Sequence, residues 1–129
     1  MIVLDENVVE GQRAQLRRWR IPVCQIGCGV GRYGMQDAEI LPLLRTLRRP
    51  TFVSRDRDFY GRTFCSDRYC LVHVDARPQD VAAYTRRLLR HPAFRTWAQR
   101  RGCVVRVTAT GILAWRAGAR RAARYRWES

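Results

Sequence analysis

Short apolar runs alternate with helix-like stretches along this chain, and this alternation constrains its fold more than any other feature. The runs predicted as strands are Ile2–Leu4, Val23–Ile26, Thr51–Ser54, Cys70–Val74, 104–107 and 112–115. Strands separated by helices usually pair in parallel, because a parallel crossover needs a dozen or more residues. The last two runs are joined by a turn-like stretch and are expected to pair as a hairpin. The sequence therefore predicts an α/β fold with a mainly parallel sheet covered on both faces.

Apolar residues at helical spacing occupy several of the intervening stretches. The clearest stripe consists of Ile40, Leu43, Leu44 and Leu47. This stripe is expected to face the core of a helix that ends before Pro50. Other helices are expected after a cap at Asn7, from Pro78, and from Pro92. Residues 116–129 permit a helix but show no clear buried face.

Carboxylates follow three of the predicted strands. Asp5 and Glu6 come after the first, Asp56 and Asp58 after the third, and Asp75 after the fourth. The carboxyl ends of parallel strands meet at one edge of a sheet, where ligands collect. Because like charges repel unless a cation lies between them, this pattern favours a site for Mg²⁺ or Mn²⁺. Each acid has an ordinary alternative role as a helix cap, a turn residue or a partner of a nearby arginine.

The net charge of +14 indicates an acidic partner such as nucleic acid. All 25 basic residues are arginine, and residues 77–129 hold 13 of them against only two acids, Asp80 and Glu128. A candidate nucleic-acid surface near the end of the chain comprises Arg116, Arg120, Arg121, Arg124 and Arg126, interleaved with Trp115, Tyr125 and Trp127. Arginine suits phosphates and aromatic rings suit bases. A solvated basic face without a specific partner is the alternative.

Length and composition exclude several classes of protein. A chain of 129 residues fits one domain, and 47% hydrophobic residues exclude intrinsic disorder. No apolar run reaches the ~18 residues of a membrane span, and the opening segment lacks a signal-peptide pattern, so we expect a cytoplasmic protein without a membrane partner.

Cysteines and glycines leave two further alternatives open. The five cysteines are expected to be reduced, buried thiols, with a zinc site formed by the pairs at 24/28 and 65/70 as the alternative. Gly29, Gly31 and Gly34 match a dinucleotide-binding fingerprint, although a flexible surface loop also explains them. His73 and His91 form no catalytic pair with a cysteine and are expected to be structural.

Three segments of the chain resemble the motifs of the short PIN-like domains, which are related to the VapC-type ribonuclease toxins of toxin–antitoxin pairs. These segments are residues 1–7 (MIVLDEN), 37–41 (DAEIL) and 52–59 (FVSRDRDF). The resemblance implies a three-layer α/β/α sandwich made by a single domain over residues 1–129. Its acidic-motif part covers 1–75, a helical and hairpin part covers 76–115, and an Arg/aromatic tail covers 116–129.

The same resemblance implies Mg²⁺- or Mn²⁺-dependent hydrolysis of RNA. The catalytic metal ligands would be Asp5, Asp37, Asp56 and Asp58. The candidate substrate-binding residues are Asn7 and Ser54, whose positions match the motifs, and a set of arginines expected from the basic charge to hold the nucleic-acid backbone: Arg55, Arg57, Arg116, Arg120, Arg121 and Arg124. The implied partners are RNA, an antitoxin protein and a second copy of the chain. Full-length PIN nucleases carry a further acid on a helix after the first motif, where this chain offers only Glu6 and Glu10. A nucleic-acid-binding module that does not cut is therefore the alternative function.

Overall fold

The apolar runs form one central sheet in the computed structural model, which describes residues 1–127. Its eight strands are β1 (Ile2–Leu4), β2 (Val23–Ile26), β3 (Gly29–Val30), β4 (Thr51–Ser54), β5 (Cys70–Val74), β6 (Cys103–Thr108), β7 (Gly111–Arg116) and β8 (Ala123–Tyr125). They lie in the order β3-β2-β1-β4-β5-β6-β7-β8. Pairing is parallel from β3 to β6, and β7 and β8 are each antiparallel to the strand before them. The α/β class and the mostly parallel sheet are confirmed.

Helices flank this sheet. They are α1 (Glu10–Arg18), α2 (Asp37–Thr46), α3 (Val81–Arg90) and the single-turn α4 (Trp97–Arg100). Short 3-10 turns cover Arg57–Phe59, Arg62–Phe64 and Pro78–Asp80. The helix predicted from the Ile40 stripe is confirmed, since Ile40 and Leu44 are buried on α2. Pro78 opens the turn that leads into α3, also as predicted.

Two apolar clusters fix the helices against the strands. Leu16 of α1 and Leu88 of α3 pack in one cluster with Leu4. Ile40 of α2 packs in the other with Val3. Successive residues of a strand point to opposite faces of its sheet, so the two clusters lie on opposite faces. We call them the α1/α3 face and the α2 face.

The chain reverses its direction of travel across the sheet between β1 and β4. From β1 it moves through α1 to β2 on one side, whereas from β4 it moves to β5 on the other side. The register pairs Leu4 with Val53, so both strands end at the same level. Open α/β sheets bind ligands beyond the carboxyl ends of strands at such a switch point. The residues that follow β1 and β4 therefore occupy the favoured place for a site.

Four local predictions differ from the structure. Asn7 does not cap α1, because Val9 holds the cap position and no side chain bonds there. The helix expected from Pro92 begins only at Trp97, where the Thr96 hydroxyl accepts a hydrogen bond from the Gln99 backbone N–H. Gly29–Val30 form a short strand that was predicted as loop. The stretch from residue 116 contains β8 and not a helix, because its backbone pairs with β7.

Helices able to cross a membrane do not occur within residues 1–127, since none is both long enough and apolar enough.

Candidate metal and nucleic-acid site

Three aspartates converge beside the switch point. One carboxylate oxygen from each of Asp37, Asp56 and Asp58 lies within 4.8 Å of the other two. Asp37 and Asp58 are exposed and Asp56 is half-buried. We call these three residues the aspartate trio. Within residues 1–127 it is the only group of three or more acidic, cysteine or histidine side chains brought this close.

Asp5 adjoins the trio through a buried hydroxyl group. The Ser54 hydroxyl donates to Asp5 Oδ2 at 2.7 Å and accepts from the Asp56 backbone N–H at 2.9 Å. Ser54 is fully buried, and Asp5 is only 8% exposed. The sequence therefore identified four acids, of which the structure brings three together and links the fourth to them by this hydrogen-bonded bridge.

Local backbone structure directs each member of the trio. Asp56 precedes the 3-10 turn Arg57–Phe59, and its Oδ1 accepts from the Asp58 N–H at 2.9 Å. Asp37 is the first residue of α2. The loop before α2 is held to the end of β1, because Glu6 Oε2 accepts from the Gly34 N–H at 2.9 Å. Glu6 is one of the two acids that the sequence offers for the further acid of PIN nucleases, and it is bonded to this loop.

Burial and neighbouring charges raise the pKa values of two acids of the site, Asp5 and Asp37. Burial raises the pKa of Asp5, against the opposing effect of the Ser54 hydrogen bond. Partial burial, followed by the charges of Asp56, Asp58 and Asp5, raises the pKa of Asp37. A divalent cation bound between these carboxylates would replace their repulsion with attraction. Oxygen ligands are also those that Mg²⁺ and Mn²⁺ prefer.

Gln25 is a site residue that the sequence analysis missed. It is 6% exposed, and its side-chain amide donates to the backbone oxygens of Asp5 at 2.9 Å and Val8 at 2.7 Å. Its own oxygen accepts from Arg13 at 3.0 Å. Gln25 thereby holds the loop that presents Asp5. A polar residue inside an apolar predicted strand was the available signal.

A cavity of about 270 Å³ opens beside these acids and is lined by Asp5, Asn7, Val8, Arg55 and Asp56. Asn7 and Arg55 are exposed, and Arg55 Nε donates to the Ala76 backbone oxygen at 2.8 Å. Two of the predicted substrate-binding residues therefore border the acids. Arg57 is exposed on the neighbouring 3-10 turn. Ser54 is buried and acts on Asp5 and Asp56, so a substrate does not reach it directly.

The predicted arginines of the tail are dispersed. Arg116 ends β7 opposite Cys103, the first residue of β6, and donates to the Gln99 backbone oxygen at 2.9 Å. Arg120 and Arg121 are exposed in the β7–β8 loop that follows. These three lie at the edge of the sheet opposite the trio, because β7 runs antiparallel to β6. Arg124 lies on β8 and pairs with Leu113.

The zinc and dinucleotide alternatives find no support. The five cysteines are free, but only Cys70 and Cys103 are buried as expected, whereas Cys24 and Cys65 are half-buried and Cys28 is exposed. Burial strongly raises the pKa of the Cys70 thiol, which disfavours its ligand form. At the glycine loop, the first turn of α2 carries Asp37 and Glu39. Those carboxylates occupy the position where a dinucleotide-binding helix would receive a pyrophosphate.

No family model, curated protein or solved structure matches this chain. The class defined by its fold and site is therefore an α/β protein with a carboxylate cluster at the switch point of its sheet. A functional assignment rests on the residues described above and on the sequence motifs.

Proposed function

We propose that this protein is a metal-dependent ribonuclease of the PIN-like type, which hydrolyses RNA phosphodiester bonds with Mg²⁺ or Mn²⁺. The observation that carries the proposal is the approach of the three trio carboxylates to within 4.8 Å, beside Asp5, in a chain of net charge +14. A protein with so few acids gains nothing in stability by collecting four of them at one point. A cation that joins them, and a polyanion attracted by the arginines, account for both features together.

We also propose that the fold is a three-layer α/β/α sandwich of PIN-like type. Helices on both faces of a mostly parallel sheet support this proposal. RNA as the substrate, an antitoxin protein and a homodimer as partners follow from the resemblance of the motifs alone.

The trio, with Asp5 behind it, would hold the metal. Bound there, Mg²⁺ or Mn²⁺ would lower the pKa of a water molecule and neutralise charge on the phosphate. Asp5 and Ser54 orient Asp56 from behind, because Ser54 bonds to both aspartates. Arg55 and Asn7 line the adjoining cavity and provide donors for phosphate oxygens. The arginine side chain is held by Ala76, so its donors are already oriented before the substrate binds.

The test combines RNA cleavage with metal-dependent stability. Labelled single-stranded RNA is incubated with Mg²⁺, Mn²⁺ or EDTA and the wild type, Asp5→Asn or Asp56→Asn. We expect cleavage only with metal, and its loss in both variants. We also expect Mn²⁺ to raise the melting temperature of the wild type and not that of Asp56→Asn, because a ligand stabilises the state that binds it.

Asp67→Asn is the matched control. Asp67 is an exposed acid that pairs with Arg101 at 3.5 Å, before the start of β5 and away from the trio. This variant should cut RNA and respond to Mn²⁺ as the wild type does. If the wild type binds RNA and never cuts it, the alternative of a binding module replaces the nuclease.

A further inference from the structure

A second cavity, of about 510 Å³, lies where β6, β7 and β8 meet the carboxyl edge of the sheet. Its lining includes three arginines, Arg106, Arg124 and Arg126, and two threonines, Thr108 and Thr110. We call these five residues the arginine groove. Arg124 and Arg126 belong to the basic tail predicted to bind nucleic acid, but they lie apart from its other arginines. Arg106 lies outside that tail.

Arg106 and Arg124 form two walls of the groove, and the strand register places them there. Arg106 pairs with Leu113 across β6 and β7, and Leu113 pairs with Arg124 across β7 and β8. Paired residues point to the same face of a sheet, so the two arginines flank Leu113. With strands about 4.8 Å apart, the backbones that carry the two arginines are about 10 Å from each other. At this spacing both guanidinium groups can contact the same nucleic-acid strand.

The same row of the register contains polar groups without partners. Ser54, His73 and Arg106 follow one another across β4, β5 and β6. Within residues 1–127, His73 Nδ1 and Arg106 Nε are buried and make no hydrogen bond. Native proteins rarely leave such atoms unpaired without a functional reason or a bound water or ion. His73 is only 5% exposed, so these groups lie beneath the surface between the trio and the groove.

Hydrogen bonds fix the backbone that carries the groove. The Trp127 indole N–H donates to the Thr108 backbone oxygen at 2.7 Å, and His91 Nε2 bonds to the Arg126 backbone oxygen at 2.9 Å. The Arg106 guanidinium is held by the Asp75 carboxylate. Within residues 1–127, Arg124 and Arg126 form no ion pair with any acid. The groove is thus preorganised and retains two cations for a ligand.

We propose that the arginine groove binds a backbone phosphate of the same single-stranded RNA whose scissile phosphate lies at the aspartate trio. This inference rests on the proposed function and adds the path of the substrate across the carboxyl ends of the strands. From β4, which leads to Asp56, to β7 at the centre of the groove there are three strand spacings, about 14 Å. A few nucleotides cover that distance. Phosphates pair well with guanidinium groups, and the apolar Leu113 between the arginines suits a sugar or base.

The test measures binding in EDTA, where no cleavage interferes. A fluorescent oligouridylate is titrated at several salt concentrations with the wild type and with the double variant Arg124→Gln/Arg126→Gln. We expect the affinity of the variant to fall about tenfold, as for the loss of two solvent-exposed ion pairs. The dependence of log affinity on log salt should flatten by about 0.7 for each lost phosphate contact.

The double variant Arg120→Gln/Arg121→Gln removes the same charge at the opposite edge of the sheet and is the matched control. It should bind almost as the wild type does. Equal losses in the two double variants would overturn the proposal, because they would mean that only the net charge matters. Unchanged binding in the groove variant would overturn it too. Melting temperatures close to that of the wild type verify that both variants fold.

Cleavage separates this inference from the proposed function. With Mn²⁺, a dinucleotide reaches only the trio, so the groove variant should cut it like the wild type but cut longer RNA more slowly. A wild type that cuts RNA while the groove variant binds and cuts normally refutes the groove and leaves the nuclease intact. A wild type that never cuts, with binding that depends on the groove, refutes the nuclease and leaves the groove intact.

Discussion

Ser54 illustrates how one small side chain organises the acids at the level of single residues. Its hydroxyl is fully buried and uses both its donor and its acceptor capacity, towards Asp5 and towards the Asp56 backbone. The motif around Ser54 was recognisable in the sequence, but the hydrogen-bonded bridge from Asp5 to Asp56 was not. Asp5 and Ser54 are 49 residues apart, and only the parallel pairing of β1 with β4 brings them together.

Substitution of Ser54→Ala should therefore affect both stability and chemistry. The change leaves a buried carboxylate and a backbone N–H without their partner, which costs about 1–3 kcal/mol of unfolding free energy. The Ser54 hydrogen bond lowers the pKa of Asp5, so its loss should raise that pKa further. We expect the acid limb of the pH–cleavage profile to move to higher pH. Urea unfolding and pH-dependent cleavage are the measurements.

Thr85→Val provides the control for this prediction. Thr85 is 1% exposed, and within residues 1–127 its hydroxyl has no hydrogen-bond partner. Removal of this unsatisfied group should leave stability unchanged or raise it, and cleavage should not respond. If Ser54→Ala behaved in the same way as Thr85→Val, the bridge between the aspartates would be irrelevant.

Asp37→Asn should instead raise the stability, because partial burial and then repulsion by Asp56, Asp58 and Asp5 disfavour the Asp37 carboxylate. The raised pKa of Asp37 means that the folded chain binds its proton more readily than the unfolded chain does. Stability from this group is thus fully present below the unfolded value near 3.8 and is lost as the pH rises through the folded pKa. We expect Asp37→Asn to melt at a higher temperature than the wild type at pH 7 in EDTA, and the difference to vanish at low pH.

Mn²⁺ should reverse this order, because the wild type then gains a ligand that the variant lacks. Thermal melts at pH 7 with and without Mn²⁺ measure both effects. Asp67→Asn should show neither, since Asp67 is paired with Arg101 and not with other acids. An Asp37→Asn variant less stable than the wild type in EDTA would contradict the proposed repulsion.

At the level of elements, residue patterns predicted the secondary structure correctly wherever a segment packs in the apolar core. Runs such as Cys70–Val74 are buried along their whole length, and so they were recognisable as strands. The patterns failed where a backbone partner decided the structure. Ala123–Tyr125 is exposed or half-buried, and its strand conformation comes from pairing with β7. Glycine likewise concealed β3, because residues that permit turns carry no strand signal.

Gly111 tests the contact that orders this last strand. A Cβ atom there would lie 2.6 Å from the Tyr125 backbone oxygen, at a φ of 156°. Gly111→Ala must push β8 away, and we expect a loss of about 1–3 kcal/mol of unfolding free energy, as for other overpacked positions. RNA binding at the arginine groove should weaken as well. Chemical denaturation and fluorescence anisotropy measure the two effects.

Gly11→Ala is the matched glycine substitution. Gly11 lies inside α1, and no atom would come within 4 Å of an added Cβ. Alanine should stabilise this helix by about 0.5–1 kcal/mol and leave RNA binding unchanged. Equal effects at the two positions would show that the approach of Tyr125 to Gly111 does not matter.

For the whole molecule, the charge pattern is more informative than its total. Composition alone indicated a polyanionic partner, and the motifs identified the acidic residues of the predicted metal site. Neither indicated that Arg124 would lie at the same edge as the trio while Arg120 would lie at the opposite one, because strand direction decides this. Strand β8 runs antiparallel to β7 and returns the chain towards the carboxyl edge, and it thereby divides a basic tail that is uniform in sequence into two differently placed sets of arginines.

The topology also implies an order of assembly. Strands β6, β7 and β8 pair with their neighbours along the chain, so closing them costs little loop entropy. The pairing of β1 with β4 must instead close a segment that contains α1, β2, β3 and α2. Contacts between distant parts of a chain generally form more slowly. We therefore expect the arginine groove to form early during folding and the aspartate trio to be completed late, so that metal binding becomes possible only once the sheet is closed.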